Sequence, residues 1–300
     1  MLNYRIDTFL NLCKSKSFTQ TSKELNITQP AVTQHIQYLE KYYEKKLIHY
    51  ERKNFSLTPE AIFLEKEMSK LTALSNRIHQ KLTEFDAAET YSEITFSSNL
   101  TLAEYVLPKL VTEYTKTHPS HRICSYISSG KEALCLLQKG KIDYAILDTY
   151  ALPANMEKEL FTQDFIWCVC NPAHHLAGKT SSLKKLQKEN IIYREHNSAA
   201  TNILQHVFSH HGYNWEDFSV ILEAGSMNAI EIYLQEINAI SFMYTNAAKH
   251  AIKRGALSRI LVPELEESVD YYFVFPDYFA LSEVAKEFIH FTQEQLWKIL

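Results

Sequence analysis

Between Ser17 and Leu39 the chain reads SFTQTSKELNITQPAVTQHIQYL, a run that few folds accept. Ser17-Phe18-Thr19-Gln20 has the form of a capping box, in which the Ser17 hydroxyl takes a backbone N–H and Gln20 reaches back. A short helix then ends at Leu25, and Asn26 suits the left-handed turn after it. Thr28 can cap a second helix with Pro30 in its first turn, where a missing N–H costs little. In that helix Val32, Ile36 and Leu39 share one face at spacings of four and three. Gln29, Thr33, Gln34 and Gln37 fall opposite, as uncharged donors and acceptors of the kind that read base edges in a major groove. The pattern predicts a helix-turn-helix with Thr28 to about Lys41 as its recognition helix. Short amphipathic helix pairs also occur in proteins that never meet DNA, so the rest of the chain must carry part of that reading.

The same residues resemble a known signature. Phe9, Ser17-Phe18-Thr19, Leu25, Thr28-Gln29-Pro30-Ala31-Val32-Thr33, Ile36, Leu39-Glu40, Leu47 and Leu57-Thr58 are similar to the N-terminal winged helix-turn-helix of LysR-type transcriptional regulators. The resemblance runs through about the first 65 residues, and T-Q-P-A-V-[ST] is its most specific element. Thr21-Ser22 replaces the usual Ala-Ala pair, Glu44 the usual Gly before the wing, Tyr50 a common Arg and Ala61 a frequent Gly. The DNA-facing set is then Thr28, Gln29, Pro30, Thr33, Gln34 and Gln37. Arg52 and Lys53, at the turn of the segment LIHYERKNFSL, are expected at the tip of a wing, against phosphates or the minor groove.

Charge is distributed accordingly. The whole chain carries −4, but residues 1–58 hold nine basic against five acidic side chains, +4, which leaves −8 for the remainder. A basic head on an acidic body suits a DNA-reading domain joined to a part with another task. No apolar run approaches the ~20 residues that span a bilayer, and Asn3, Arg5 and Asp7 interrupt any signal-peptide core, so a cytoplasmic protein is expected. Five cysteines without framework spacing fit reduced thiols.

Thr58-Pro59-Glu60 starts a helix with a cap, a first-position proline and an early acid. No breaker follows until about Asp86, and Leu64, Met68, Leu71, Ser75, Ile78, Leu82 and Phe85 repeat alternately by four and three. A helix of ~27 residues extends ~40 Å and cannot bury such a stripe alone. Pairing with its copy through Leu64, Met68, Leu71, Ile78, Leu82 and Phe85 is therefore expected, although packing on the chain's own body would also cover the stripe. A two-fold pair presents two recognition helices one DNA turn apart. The LysR-type resemblance implies the same linker helix, and often a tetramer built as a dimer of dimers.

Beyond a short hinge at Ala87-Ala88-Glu89-Thr90 the pattern alternates strand and helix. Strands are expected at Ile94–Ser97, Arg122–Ile127 and Tyr144–Leu147, with helices at Ala103 to about Thr117 and Lys131–Gln138 between them. A second such set opens at Ile166–Cys170 and runs to Ala239–Phe242, after which Tyr271–Val274 and a helix Ser282–Lys298 return to the first. Strand-helix alternation favours parallel sheets with right-handed crossovers. The expected domains are a winged helix-turn-helix at 1–58, a linker helix and hinge at 59–89, and an effector-binding domain at 90–300. Within the last, one lobe spans about 90–163 and 267–300 and the other about 164–266. The segments VLPKLVTEYTKTHP, LLQKGKIDYAIL, CNPAHHLAG, AISF with IKRGAL, and LSEVAKEFIHF resemble, more loosely, the LysR-type effector domain, which is built like a periplasmic binding protein. Asn238 and Tyr244 stand where that family commonly has Gly and Pro.

In two α/β lobes, ligands sit at strand C-termini where helices present free N–H groups. Ser98, Asn99 and Thr101 follow the first strand, Ser128 precedes a helix, and Ser198, Thr201 and Ser226 occupy matching places in the second lobe. The resemblance implies effector contacts at Ser98, Asn99, Thr101, Ser198 and Thr201. All of them also make ordinary helix caps; arrival from both lobes is what favours a ligand, and uncharged donors suit an anionic small metabolite. Cys168-Val169-Cys170 with His174-His175 has the elements of a metal site, but strand alternation and the family-typical loop give a structural role, and no metal or cofactor is expected. Cys124 and Cys135 read as core rather than as a redox pair. No Gly-x-Ser-x-Gly elbow, His-Glu-x-x-His or Walker loop is present, so no catalytic residue is assigned. The chain is expected to be a non-enzymatic, homo-oligomeric regulator of LysR type that binds double-stranded promoter DNA and a small-molecule effector. The rival reading is a small-molecule-binding or enzymatic clamshell whose N-terminal helices serve only oligomerisation.

Overall fold

A computed structural model describes residues 3–51, 54–85, 92–148, 152–153, 155–195, 199–266, 268–278 and 281–299. Two units emerge, Met1–Thr90 with Leu136–Lys141, and Tyr91–Cys135 with Ile142–Leu300.

The first unit opens with α1 (Tyr4–Ser15), capped by the Asn3 side chain. Its Ile6, Phe9, Leu12 and Cys13 are buried, and Leu10 packs at their edge. At α2 (Phe18–Glu24) the capping box forms by half: Ser17 Oγ accepts the Gln20 N–H at 3.2 Å, but the Gln20 amide turns to Glu24 at 2.8 Å. Asn26 takes the left-handed turn (φ 53°), and Thr28 Oγ1 accepts the Ala31 N–H to begin α3 (Gln29–Tyr43). Val32, Ile36 and Leu39 are buried against α1 and Leu47. Helix α3 closes at Glu44, which adopts φ 52° although it carries a side chain. The wing follows as an antiparallel ladder of β1 (Ile48–Glu51) and β2 (Asn54–Leu57); Arg52 and Lys53 lie outside the described residues. Glu40 anchors the approach to it by accepting the Leu47 and Ile48 N–H groups at 2.9 and 3.4 Å. Burial alone would raise this carboxyl, but those bonds and one from Lys46 outweigh it and hold it below the usual range.

Thr58 Oγ1 accepts the Ala61 N–H and donates to the Lys46 carbonyl, which ties α4 (Pro59–Phe85) to the wing. The expected apolar stripe divides along this helix. Leu64 is buried in the head's own core and Met68 packs against it. Further on, Leu71, Leu74, Ile78 and Leu82 are exposed; the side chain of Phe85 lies outside what is described. At mid-helix the 136–141 segment lies against α4: Asn76 donates to the Lys139 carbonyl at 2.9 Å, and any Cβ at Gly140 would collide with the Ala73 carbonyl oxygen.

The second unit is a mixed sheet flanked by helices. In chain order it contains β3 (Ser92–Ser98), α5 (Leu100–Tyr105), α6 (Leu107–Thr117), β4 (His121–Ile127), α7 (Gly130–Gln138, its last three residues counted with the first unit), β5 (Tyr144–Leu147) and β6 (Met156–Cys170). It continues with α8 (Leu183–Leu186), β7 (Asn190–Arg194), α9 (Ala199–His210), β8 (Ser219–Ala224), α10 (Met227–Glu236), β9 (Ile240–Tyr244) and α11 (Thr245–Lys253). β10 (Ser258–Ile260), β11 (Ser268–Pro276) and α12 (Glu283–Ile299) complete it. Strands lie in the order β4-β3-β5-β11-β6-β9-β7-β8, with β10 beside β6. β3 runs parallel to β4 and β5, and β7 parallel to β8 and β9. β6 and β11 are antiparallel to each other, and β6 passes from β11 to β9 as it leaves the first set. Phe96 stacks between Tyr144 and Phe288, with ring centroids 5.2 and 5.6 Å away, so α12 covers the first set. Phe208, Trp215 and Phe242 form the aromatic centre of the second.

Three of the departures from expectation have a clear physical cause. The helix expected at 103–117 is two, because Pro108 lacks an N–H and its ring would meet the Glu104 carbonyl; the chain breaks at Val106. The strand expected at Ile166 begins ten residues earlier, through an exposed Glu157-Lys158-Glu159 stretch that shows no apolar alternation. Helix α11 is unanticipated because its cap comes from far away: the buried Asp164 carboxylate accepts the Thr245 and Asn246 N–H groups.

Candidate DNA interface and effector site

Burying Val32, Ile36 and Leu39 fixes the rotation of α3 and therefore what its other face presents. Thr28, Gln29, Pro30, Gln34 and Gln37 are exposed and Thr33 is half-buried. Three of these have intramolecular side-chain bonds: Thr28 Oγ1 accepts the Ala31 N–H at 3.3 Å, Gln29 Oε1 accepts from Thr19 Oγ1 at 3.4 Å, and Thr33 Oγ1 donates to the Gln29 carbonyl at 3.2 Å. Gln34 and Gln37 are exposed, as base-edge recognition requires.

In the second unit the polar residues gather at C-terminal strand ends. Ser98 ends β3, and its hydroxyl donates to the Asn99 carbonyl at 3.3 Å. Ser128, just past β4, shares a 2.5 Å hydrogen bond with the buried Ser97 hydroxyl. Asn99 caps α5 by accepting the Leu102 N–H at 2.9 Å and donates through Nδ2 to Asp148 at 3.2 Å. Asp148, just past β5, also accepts from the Tyr244 hydroxyl at 2.6 Å. Tyr244 ends β9, so this bond joins the ends of the two parallel strand sets. Burial pushes the Asp148 carboxyl up to about 6, against the lowering effect of the Tyr244 and Asn99 bonds. Burial likewise pushes the hydroxyls of Tyr244 and the adjacent Tyr271 well above the usual range.

The structure thus brings Ser98, Asn99 and Ser128 together, with Thr101 buried in the first turn of α5. Thr201 and Ser226 sit at the ends of β7 and β8. Thr201 is buried and its hydroxyl donates to the Arg194 carbonyl at 2.8 Å, while Ser226 Oγ accepts the Ala229 N–H at 3.2 Å. Ser198 lies outside the described residues. Sequence reasoning missed Asp148, Tyr244 and Arg194. The signal was present: each ends or directly follows a buried strand, the same rule that selected the hydroxyls.

A metal reading finds three side chains, His174, His175 and Glu189, whose ligand atoms lie within 4.8 Å of one another, and neither Cys168 nor Cys170 belongs to the group. His174 Nδ1 accepts the Leu176 N–H at 3.2 Å, which leaves the proton of the neutral ring on Nε2, 3.4 Å from Glu189. Ligation through Nε2 would require the ring proton on Nδ1, which the Leu176 N–H already occupies, so in this arrangement the group is an imidazole–carboxylate contact. Burial raises both cysteine thiols, Cys170 to about 11, which makes them poor thiolates.

Comparison with known proteins converges with this geometry. Residues 4–62 match the profile of the bacterial regulatory helix-turn-helix protein, lysR family, and residues 88–297 match the LysR substrate binding domain. An uncharacterized HTH-type transcriptional regulator of Methanocaldococcus jannaschii, MJ0300, is 27% identical over 260 residues, 86% of this chain and 87% of that protein. HinK from Pseudomonas aeruginosa, a LysR family transcriptional regulator of known structure, superposes with a TM-score of 0.62 at 19% identity over 99% of each chain. The CcmR regulatory domain of Synechocystis PCC6803, solved in complex with 2-PG, superposes with a TM-score of 0.61 at 19% identity over 68% of this chain and 97% of that one.

Proposed function

This chain belongs to the LysR family of helix-turn-helix transcriptional regulators, and from that premise we propose how its parts divide the task. Residues 1–58 read promoter DNA, 59–89 pair two subunits, and 90–300 bind a small effector between the ends of the two strand sets. Gln34 and Gln37 meet base edges, with Gln29 and Thr33 beside them and the wing residues Arg52 and Lys53 on the backbone. The exposed row Leu71, Leu74, Ile78 and Leu82 supports pairing of α4 with its copy, since four large apolar side chains on one helix stay in water at a cost of roughly 25 cal/mol per Å². A pair, or a dimer of such pairs, sets two recognition helices on one interrupted palindrome. Ser98, Asn99, Thr101, Ser128, Ser198, Thr201 and Ser226 border the effector site, with Asp148 and Tyr244 added to them. Like CcmR's regulatory domain with its 2-PG, the second unit would hold a small molecule, and an effector that favours one arrangement of the heads shifts DNA binding by that preference. The protein acts in the cytoplasm without catalysis; no helix among the described residues is long and apolar enough to cross a membrane.

The observation that carries this reading is the exposure of Gln29, Gln34 and Gln37 above a buried Val32–Ile36–Leu39 face. Duplexes selected from a random pool by the full-length protein provide its test. Affinity should fall linearly with salt on logarithmic axes, and selected duplexes should share an interrupted palindrome. Failure to select any sequence, or affinity indifferent to salt, would leave a clamshell whose first helices only associate.

A further inference from the structure

We infer that Arg194 is the charged anchor of a small-anion site at the C-terminal edge of β7 and β8, with Glu195 as the internal counter-ion that an arriving oxyanion displaces. The inference rests on the reading of this unit as an effector domain and names the chemical class its second strand set would take.

Arg194 is the last residue of β7, and its side chain is only 10% exposed. A guanidinium offers five N–H donors in a planar fork and cannot lose its charge. Here Nη2 reaches Glu195 Oε1 at 3.4 Å, while Nε is sealed from solvent with no hydrogen-bond partner among the described residues. Burying a cation with so thin a pairing is unfavourable unless something else satisfies it. Two oxygens of a carboxylate or phosphate fit the fork side by side, where the Glu195 contact supplies one.

The surroundings favour an anion as well. The twelve-residue helix α9 starts at Ala199, and the Thr201 bond to the Arg194 carbonyl fastens its first turn to the arginine's backbone. The positive end of the α9 dipole attracts negative charge. Glu195 extends toward the β8–α10 turn, where its Oε2 lies 4.0 Å from the place a Gly225 Cβ would occupy. Its side chain is 51% exposed, so it can swing into water at little cost, which Arg194 cannot.

Thermal unfolding of the full-length protein with inorganic phosphate or malonate, each against chloride at equal ionic strength, tests this. One or both anions should raise the melting temperature by ~2–4 °C at saturating concentration, and which one does so separates phosphate from carboxylate. Arg194→Met should abolish the shift, and Arg194→Lys should keep part of it, as a point charge without the fork. Glu195→Gln, at an exposed position that does not threaten folding, should lower the half-effective concentration several-fold. Equal shifts in wild type and Arg194→Met, or no shift in either wild type or Glu195→Gln, would overturn the proposal. Affinity for the selected duplexes, measured in the same samples, keeps the two readings apart. An Arg194-dependent thermal shift without any change in DNA binding would retain the anion site and reject its role as an effector site.

Discussion

On α3, Gln29, Gln34 and Gln37 stand in solvent above an apolar face. At the strand ends of the second unit, Asn99 and Asp148, both half-buried, and the buried Tyr244 bond to one another. The difference follows from what each region is proposed to recognise. Duplex DNA is stiff and brings its own ordered donors and acceptors, so a reading helix needs a rigid backbone and side chains that water satisfies until the duplex arrives. A small molecule has to be enclosed, and groups that meet it must already be desolvated. Unpaired, they would be costly, so they hold one another.

The contrast can be broken most severely at Asp164. Its buried carboxylate accepts from Phe165, Thr245 and Asn246, and Asp164→Ala strands those donors. Urea unfolding should show a loss of about 3–5 kcal/mol from the second unit, from several unmet donors at ~1–3 kcal/mol each. The head, which shares none of these bonds, should keep its affinity per folded molecule; a matching loss of DNA binding would show that the two polar economies are not separate.

Asp148 gives a subtler probe. Its carboxyl is raised from 3.8 to about 6 in the folded chain. Between those values the folded protein holds a proton that the unfolded chain has released, so this group favours folding at the acid end. The advantage fades as pH rises through about 6 and is gone above it. Asp148→Asn should flatten that part of the stability profile, a difference of at most about 3 kcal/mol between pH 4 and pH 7. Unchanged slopes would place the carboxyl in water.

On the exposed side, Gln34→Ala should weaken binding to the selected duplex by about 1–3 kcal/mol while nonspecific binding holds, with stability changed by less than ~0.5 kcal/mol. Equal loss on both duplexes would argue against base readout. Smallest is Glu44→Gly, which relieves a left-handed residue with φ 52° and should stabilise the head by about 1 kcal/mol or less. No gain there would mean that the Glu44 side chain has its own stabilising contact.

The head could be read from sequence because its determinants are local. Ser17, Asn26 and Thr28 act on residues within three positions, and Val32, Ile36 and Leu39 reveal their face by spacing alone. Only the return arm of the capping box failed, since Glu24 offered Gln20 a charged acceptor one turn away. The second unit gave up its strand-helix alternation but not its chemistry. Tyr244 meets Asp148 across 96 positions, and Asp164 caps α11 across 81. No window of sequence contains both members of either pair. The stripe on α4 was legible as apolar, yet nothing in its spacing separated Leu64, which the head buries, from Ile78, which it does not.

The route of β6 bears on how the second unit can respond. The strand pairs with β11 as far as Phe165 and with β9 from Ile166 onward, and its only slip of register is the single residue Phe161 opposite Tyr271 and Tyr272. An uninterrupted ribbon thus runs through both halves, and ribbons resist bending within their ladder far more than they resist being wrung. A ligand that pulls the halves together would be felt as torsion along that ribbon, a few degrees distributed over many bonds, rather than as jaws shutting on a hinge.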